Sequence, residues 1–178
     1  MDVKREKMYQ EIGQYIKKYL RKGSFKLPNL FMYEVGALST PAPSVRGAKW
    51  ALDFLLTKME LSFSEKLMQL IDDKGRKHTE IYTKAGVTKA HFSKIKADKD
   101  YRPTKETALA FSIALHLDLD ETNDLLRRAG YTISHSSEKD LIVEFFITKK
   151  IYNIDEINCQ LDMRGHKPLT NWRKTKEE

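Results

Sequence analysis

Residues 79–96 have room for two short helices and little else, and Gly86 stands where they meet. In the run Ile81-Tyr82-Thr83-Lys84-Ala85-Gly86-Val87-Thr88-Lys89-Ala90-His91-Phe92-Ser93-Lys94-Ile95, the helices must cross steeply around a turn of few residues. Such a turn needs a left-handed backbone, which glycine adopts without a Cβ penalty. Ile81, Ala85 and Val87 can close the inside of the corner, while Phe92 and Ile95 turn the second helix onto the same core. Thr88 reads as that helix's N-cap. Thr88, Lys89, Ala90, Ser93 and Lys94 are left facing outward, and all are small, polar or basic.

Helical spacing continues on both sides of this corner. Ser62-Phe63-Ser64-Glu65 fits a capping box, Leu67, Leu70 and Ile71 supply an apolar face, and Gly75 ends that helix. Thr104 opens an apolar helix carrying Ala108, Leu109, Phe111, Ile113, Ala114 and Leu115. Asp118 or Asp120 caps the next helix, which ends at Gly130; Ser136 or Ser137 caps another through Leu141, Ile142, Phe145 and Phe146. A last short helix spans 154–161. Upstream, Met8, Ile12, Tyr15, Ile16, Tyr19 and Leu20 mark an amphipathic helix, read as packed or dimerising. Residues 24–47 contain Pro28, Pro41 and Pro43 and read as a linker, although Leu27 to Val35 is apolar enough to dock somewhere. No strand-like alternation persists, so the chain reads as all-α. Residues 1–60 form an N-terminal helical appendage, 61–130 a domain, 131–165 a helical extension packed on it, and 166–178 a charged tail.

Composition bounds the partners. A formal net charge of +7 favours polyanions. With one cysteine, Cys159, no disulfide framework can form within the chain. The charged start at Met1 to Lys7 does not resemble a secretory leader, and no run approaches a membrane span, so a cytoplasmic location is expected and no membrane partner.

The outward residues suit a DNA major groove. Small side chains let a helix approach, lysines meet phosphates or guanine edges, and hydroxyls bond phosphate or base. Lys77, Lys84, Lys96 and Arg102 extend the basic set as a phosphate-positioning shell, to which Lys74, Arg76, Lys99 and Lys105 add charge. The acidic loop Asp98 to Asp100 runs counter to it.

On these residues, 62–130 resembles the five-helix domain of the lambda-repressor-like (Cro, Xre-type) helix-turn-helix family, here with an N-terminal helical appendage and two extra C-terminal helices. Ile81, Ala85, Gly86, Val87, Phe92 and Ile95 match the family's pattern. The resemblance implies base reading by Lys89 and Ala90, further contacts one turn on from Ser93 and Lys94, and phosphate contact near His78 and Thr79. Tyr82 departs from it, standing where the family usually has alanine; a tyrosine there must push the helices apart or point outward. The wider run 61–169 resembles a bacterial helix-turn-helix family loosely associated with phage defence and stress loci, through Ser62 to Glu65, Phe92 to Ile95, Thr107 to Ala110 and Asp140 to Phe146.

The implied function is sequence-specific binding of double-stranded DNA, as a transcription regulator that acts as a homodimer. The alternative is an adaptor or antitoxin-like module that meets a protein through 27–35 or 141–147. No reaction chemistry stands out. The glycines are scattered, the five histidines dispersed, and neither Cys159 with His166 nor Asp118 with Asp120 forms a recognisable catalytic pair. No enzyme activity, cofactor or metal is expected.

Overall fold

The computed structural model describes residues 7–8, 10–15 and 60–170. All regular structure among them is helical: α1 (7–15, with residue 9 outside the description), α2 (Phe63–Asp73), α3 (His78–Lys84), α4 (Lys89–Ala97), α5 (Lys105–Ala114), α6 (Leu119–Arg128), α7 (Glu138–Thr148) and α8 (Ile154–Met163). None of these helices is long and apolar enough to cross a membrane. The linker reading of 24–47 and the apolar stretch 27–35 lie outside the described residues.

The helices begin where side-chain oxygens replace missing carbonyls. Ser62 and Glu65 form a reciprocal capping box on α2, and Asp118 with Glu121 forms another on α6. Thr88, Thr104, Ser137 and Asn153 cap α4, α5, α7 and α8. Only α3, preceded by Lys77, lacks a side-chain cap among α2 to α8.

Six helices end in the Schellman arrangement, with a left-handed residue after the last turn. At the α3–α4 corner the Gly86 amide donates to the Thr83 carbonyl at 3.0 Å and the Val87 amide to Tyr82 at 2.8 Å. Gly86 has φ +63°, as its place in the sequence requires. His116 (φ +54°) and Lys150 (φ +56°) take the same position after α5 and α7 without being glycine.

Packing centres on α5, where every residue from Ala108 to Ala114 is buried. A helix with no wet face must be covered on all sides. Helices α3, α6 and α8 contact it. Ser112, fully buried in α5, turns its hydroxyl back to the Ala108 carbonyl at 3.1 Å. Helix α7 is nearly as dry: Leu141 to Ile147 are all buried, so this stretch lies inside the chain's own core and does not offer a seam to a partner. Helix α1 helps to cover it. Ile12 is buried, the Tyr15 ring meets Phe145 edge-on at 5.3 Å, and the Tyr15 hydroxyl donates to Glu144 at 3.2 Å.

The start of the charged tail is tied down as far as residue 170. Leu169 is buried, its amide donates to the Asn158 side-chain oxygen at 2.8 Å, and the Asn158 amide donates to the Thr170 hydroxyl at 3.0 Å. An apolar side chain with a paired backbone amide behind it docks even in a polar sequence.

Two measurements test this packing. A Cβ on Gly86 would lie 2.9 Å from the Thr170 side chain, whereas one on Gly75, with nearly the same positive φ, would meet nothing within 4 Å. Gly75→Ala should therefore cost about 1–2 kcal/mol, the left-handed penalty alone, and Gly86→Ala clearly more in denaturant titrations. Equal losses would show that Thr170 does not press on the turn. Separately, the His116 imidazole lies flat on Tyr152 at 4.7 Å. Lost hydration first, then the charges of Lys84, Arg76 and Lys74, hold it below the usual histidine range. A depressed histidine binds fewer protons folded than unfolded. Its contribution is complete above pH 6.5 and is lost as pH falls below that value. His116→Asn, which tolerates the left-handed backbone, should flatten the stability profile between pH 7 and about 5; an unchanged slope would refute this origin.

Candidate nucleic-acid interface

Helix α4 is built to show one face. Phe92 and Ile95 are buried, while Lys89, Ala90, Ser93, Lys94, Lys96 and Ala97 are exposed. The Thr88 hydroxyl accepts the His91 amide at 3.2 Å, so this outward residue is first of all a cap. Alanine and serine at 90 and 93 keep the middle of the face low, with lysines around them.

The α3–α4 corner carries more aromatic surface than its sequence suggested. Tyr82 neither swings into solvent nor stands apart: it is half-buried, with its ring 5.3 Å from Phe92. His78, one turn earlier on α3, also lies against Phe92 at 5.5 Å. Phe92 in turn meets Phe111 of α5 at 6.1 Å. His78 thus serves packing, while Lys77 and Thr79 beside it are exposed.

Ion pairs divide the cations expected to hold phosphate. Lys84, placed in the phosphate shell by the sequence, and Arg76 both reach Glu80 at 2.9 Å. Their hydrogen bonds and charge, Lys84 first, hold the Glu80 carboxyl below its usual range. Lys74 pairs with Glu121 at 3.2 Å, Lys99 with Glu65 at 2.9 Å, and Lys105 with the buried Asp140. By contrast, Lys77, Lys89, Lys94, Lys96 and Arg102 have no carboxylate partner among the described residues. The acidic loop is exposed but anchored through its backbone: the Asp98 carbonyl accepts the Ser64 hydroxyl at 3.0 Å, and the Asp98 carboxylate accepts the Asp100 amide at 3.0 Å.

Tyr101 is the residue that sequence reasoning missed. Its hydroxyl lies 2.7 Å from His91 Nε2, its ring meets the imidazole edge-on at 5.8 Å, and Lys94 Nζ stands 5.8 Å from its centroid. One loop residue therefore steadies two residues of α4. Helical spacing gives no sign of it, because the contact is made by the chain returning after the helix has ended.

Residues 167–170 close the other edge. With Ala85, Gly86 and Val87 they line an open cleft that also takes in Thr88 and His91. Comparisons with family models, with curated proteins and with solved structures find no match to this chain. The chemistry of the surface must therefore be read from its own residues. Among the described residues no group of three or more His, Cys, Asp or Glu is arranged to hold a metal ion.

Tyr101→Phe keeps the ring beneath Lys94 but removes the bond to His91. It should destabilise the fold by about 0.5–1.5 kcal/mol, and Tyr101→Ala by more, in urea titrations. No loss in either variant would mean that the loop does not brace α4.

Proposed function

We propose that this protein binds double-stranded DNA sequence-selectively, as a transcription regulator, with α4 entering the major groove. The observation that carries the reading is the contrast in charge pairing. Cations elsewhere around the corner are matched by carboxylates, while those of α4 and its flanks at 77 and 102 are not. Unpaired lysines give a phosphate backbone its largest gain, since binding releases condensed counterions and breaks no internal ion pair. Lys89, Ser93 and Lys94 are assigned to the groove, Thr88 and Ala90 to close approach, and Lys77, Lys96 and Arg102 to phosphates. The five helices from α2 to α6, with a tight glycine turn between the second and third, are compatible with the lambda-repressor-like arrangement that the sequence resembles.

The adaptor reading loses two of its supports. Tyr82 is occupied by Phe92, and Leu141 to Ile147 are buried.

Salt titrations of binding to random and selected duplexes test the proposal. The intact chain should bind a selected site about a thousandfold better than random DNA. Lys89→Ala with Lys94→Ala should weaken it more than tenfold and reduce the slope of log K on log salt by about 2. Lys84→Ala, which breaks only the pair with Glu80, should change it little. Weak binding indifferent to sequence and to the two lysines would refute the assignment.

A further inference from the structure

We infer that Tyr101 is a selectivity-determining residue of the α4 surface, a fixed post that aims His91 and Lys94 at the bases. This rests on the DNA-binding reading above and adds to it a positioning residue, Tyr101, and a further groove contact, His91.

The post is held before it touches α4. The Asp98 carbonyl accepts both the buried Ser64 hydroxyl of α2 at 3.0 Å and the Tyr101 amide at 3.2 Å. Lys99 pairs with Glu65 of α2 at 2.9 Å, and Pro103, just beyond Tyr101, is buried. The loop that carries Tyr101 is therefore tied to α2 at one end and sunk at the other.

What Tyr101 holds is polar. Its hydroxyl lies 2.7 Å from His91 Nε2, and Lys94 Nζ stands 5.8 Å from its ring centroid. Packing alone would be served by phenylalanine; here the hydroxyl is spent on a side chain of α4 and not on the core. His91 and Lys94 stand at i and i+3 and so share one side of the helix. With Nε2 taken, Nδ1 is the imidazole nitrogen left for a ligand. The bond made by one ring nitrogen sets the tautomer, and with it the role of the other. When the phenol donates, Nδ1 carries the proton and matches guanine N7 or O6. A lysine over an aromatic face keeps its charge but gives up part of its rotational freedom before any DNA arrives. Attraction to phosphate needs only the charge, whereas reading a base edge needs the direction. A residue that fixes direction and adds no charge therefore acts on selectivity.

The test measures affinity for one selected duplex, for random duplex and for single-base variants of the selected site, across a range of salt. The chains are the intact protein, Tyr101→Phe, His91→Ala, the Tyr101→Phe, His91→Ala double, Tyr101→Leu, and Lys89→Ala with Lys94→Ala. Each is assayed under conditions where urea titration shows it folded. Tyr101→Phe should lose about five- to tenfold of the preference for selected over random duplex, the scale of one base contact. Its salt slope should match that of the intact chain, since no charge is removed. The loss should concentrate at the base pair that His91→Ala also relaxes. The double variant should be no less selective than His91→Ala alone, because the two side chains act as a unit. Tyr101→Leu, which also frees Lys94, should lose more selectivity than Tyr101→Phe; the phenylalanine and alanine variants decide the question even if it does not fold. Equal weakening on selected and random duplex would make Tyr101 a structural brace alone and overturn the inference, as would fully additive losses in the double variant. Unchanged selectivity in Tyr101→Phe, with a clear loss in the Lys89/Lys94 variant, would also overturn it and leave the groove assignment standing. If the intact chain shows no selective duplex binding, both readings fall together.

Discussion

The dryness of α5 governs the rest of the structure. Its run from Ala108 to Ala114 has no face that water can reach, so the molecule must supply neighbours around its whole circumference. The compact unit that includes all eight described helices is the answer to that demand. Helices α3 and α6 cover α5 from the domain that contains the glycine corner, and α8 covers it from the extension. The extension is therefore not an ornament on a finished domain. Without α8, buried residues such as Ile157 and Leu161 would be missing from the core, and α5 would meet water along the strip that α8 hides. Exposing even one large side chain there costs about 1.5–3 kcal/mol, a large part of the stability of any domain this size.

That dependence ties the corner to the C-terminus. Helix α8 carries Asn158, Asn158 holds Leu169 and Thr170, and Thr170 presses on Gly86. A chain of contacts thus runs from the core helix to the turn that orients α4. On the far edge, Tyr101 steadies His91 and Lys94. The outer face of α4 is short and mostly made of small or flexible side chains, which cannot order themselves. Its rigidity comes from Phe92 and Ile95 beneath it, from the strap at one edge and from the tyrosine at the other.

Much of this was legible in the sequence, because it depends on neighbours in the chain. Ser62 with Glu65, Thr88 and Thr104 are caps that act within three residues, and Gly75, Gly86 and Gly130 mark left-handed turns that any chain must fill with a permissive residue. The buried run 141–147 could be read as core or as a seam, since periodicity reports that a face is apolar and not what covers it. What stayed hidden is long-range. Lys84 with Glu80 is a local pair and was available at i and i+4 spacing, but Lys74 with Glu121 and Lys105 with Asp140 join separate helices. His116 and Lys150 hold left-handed positions with no glycine to announce them. Tyr101 and Asn158 act through a loop and a strap that only the fold brings back.

The division of charge comes from the same geometry. A lysine whose helix packs against another helix meets that helix's carboxylates, and the pair forms because both side chains are already held near each other. Lys105 finds Asp140 and Lys139 finds Glu106 across α5 and α7 in this way. Helix α4 packs against α2 and α3 through its buried side only, so its outer lysines have no neighbouring helix to neutralise them. A net charge of +7 spread over the whole chain says little about where a polyanion would go. Internal pairing removes the cations that face other helices and leaves those that face none. Among the described residues, α4 and its flanks keep Lys77, Lys89, Lys94, Lys96 and Arg102 without a carboxylate partner.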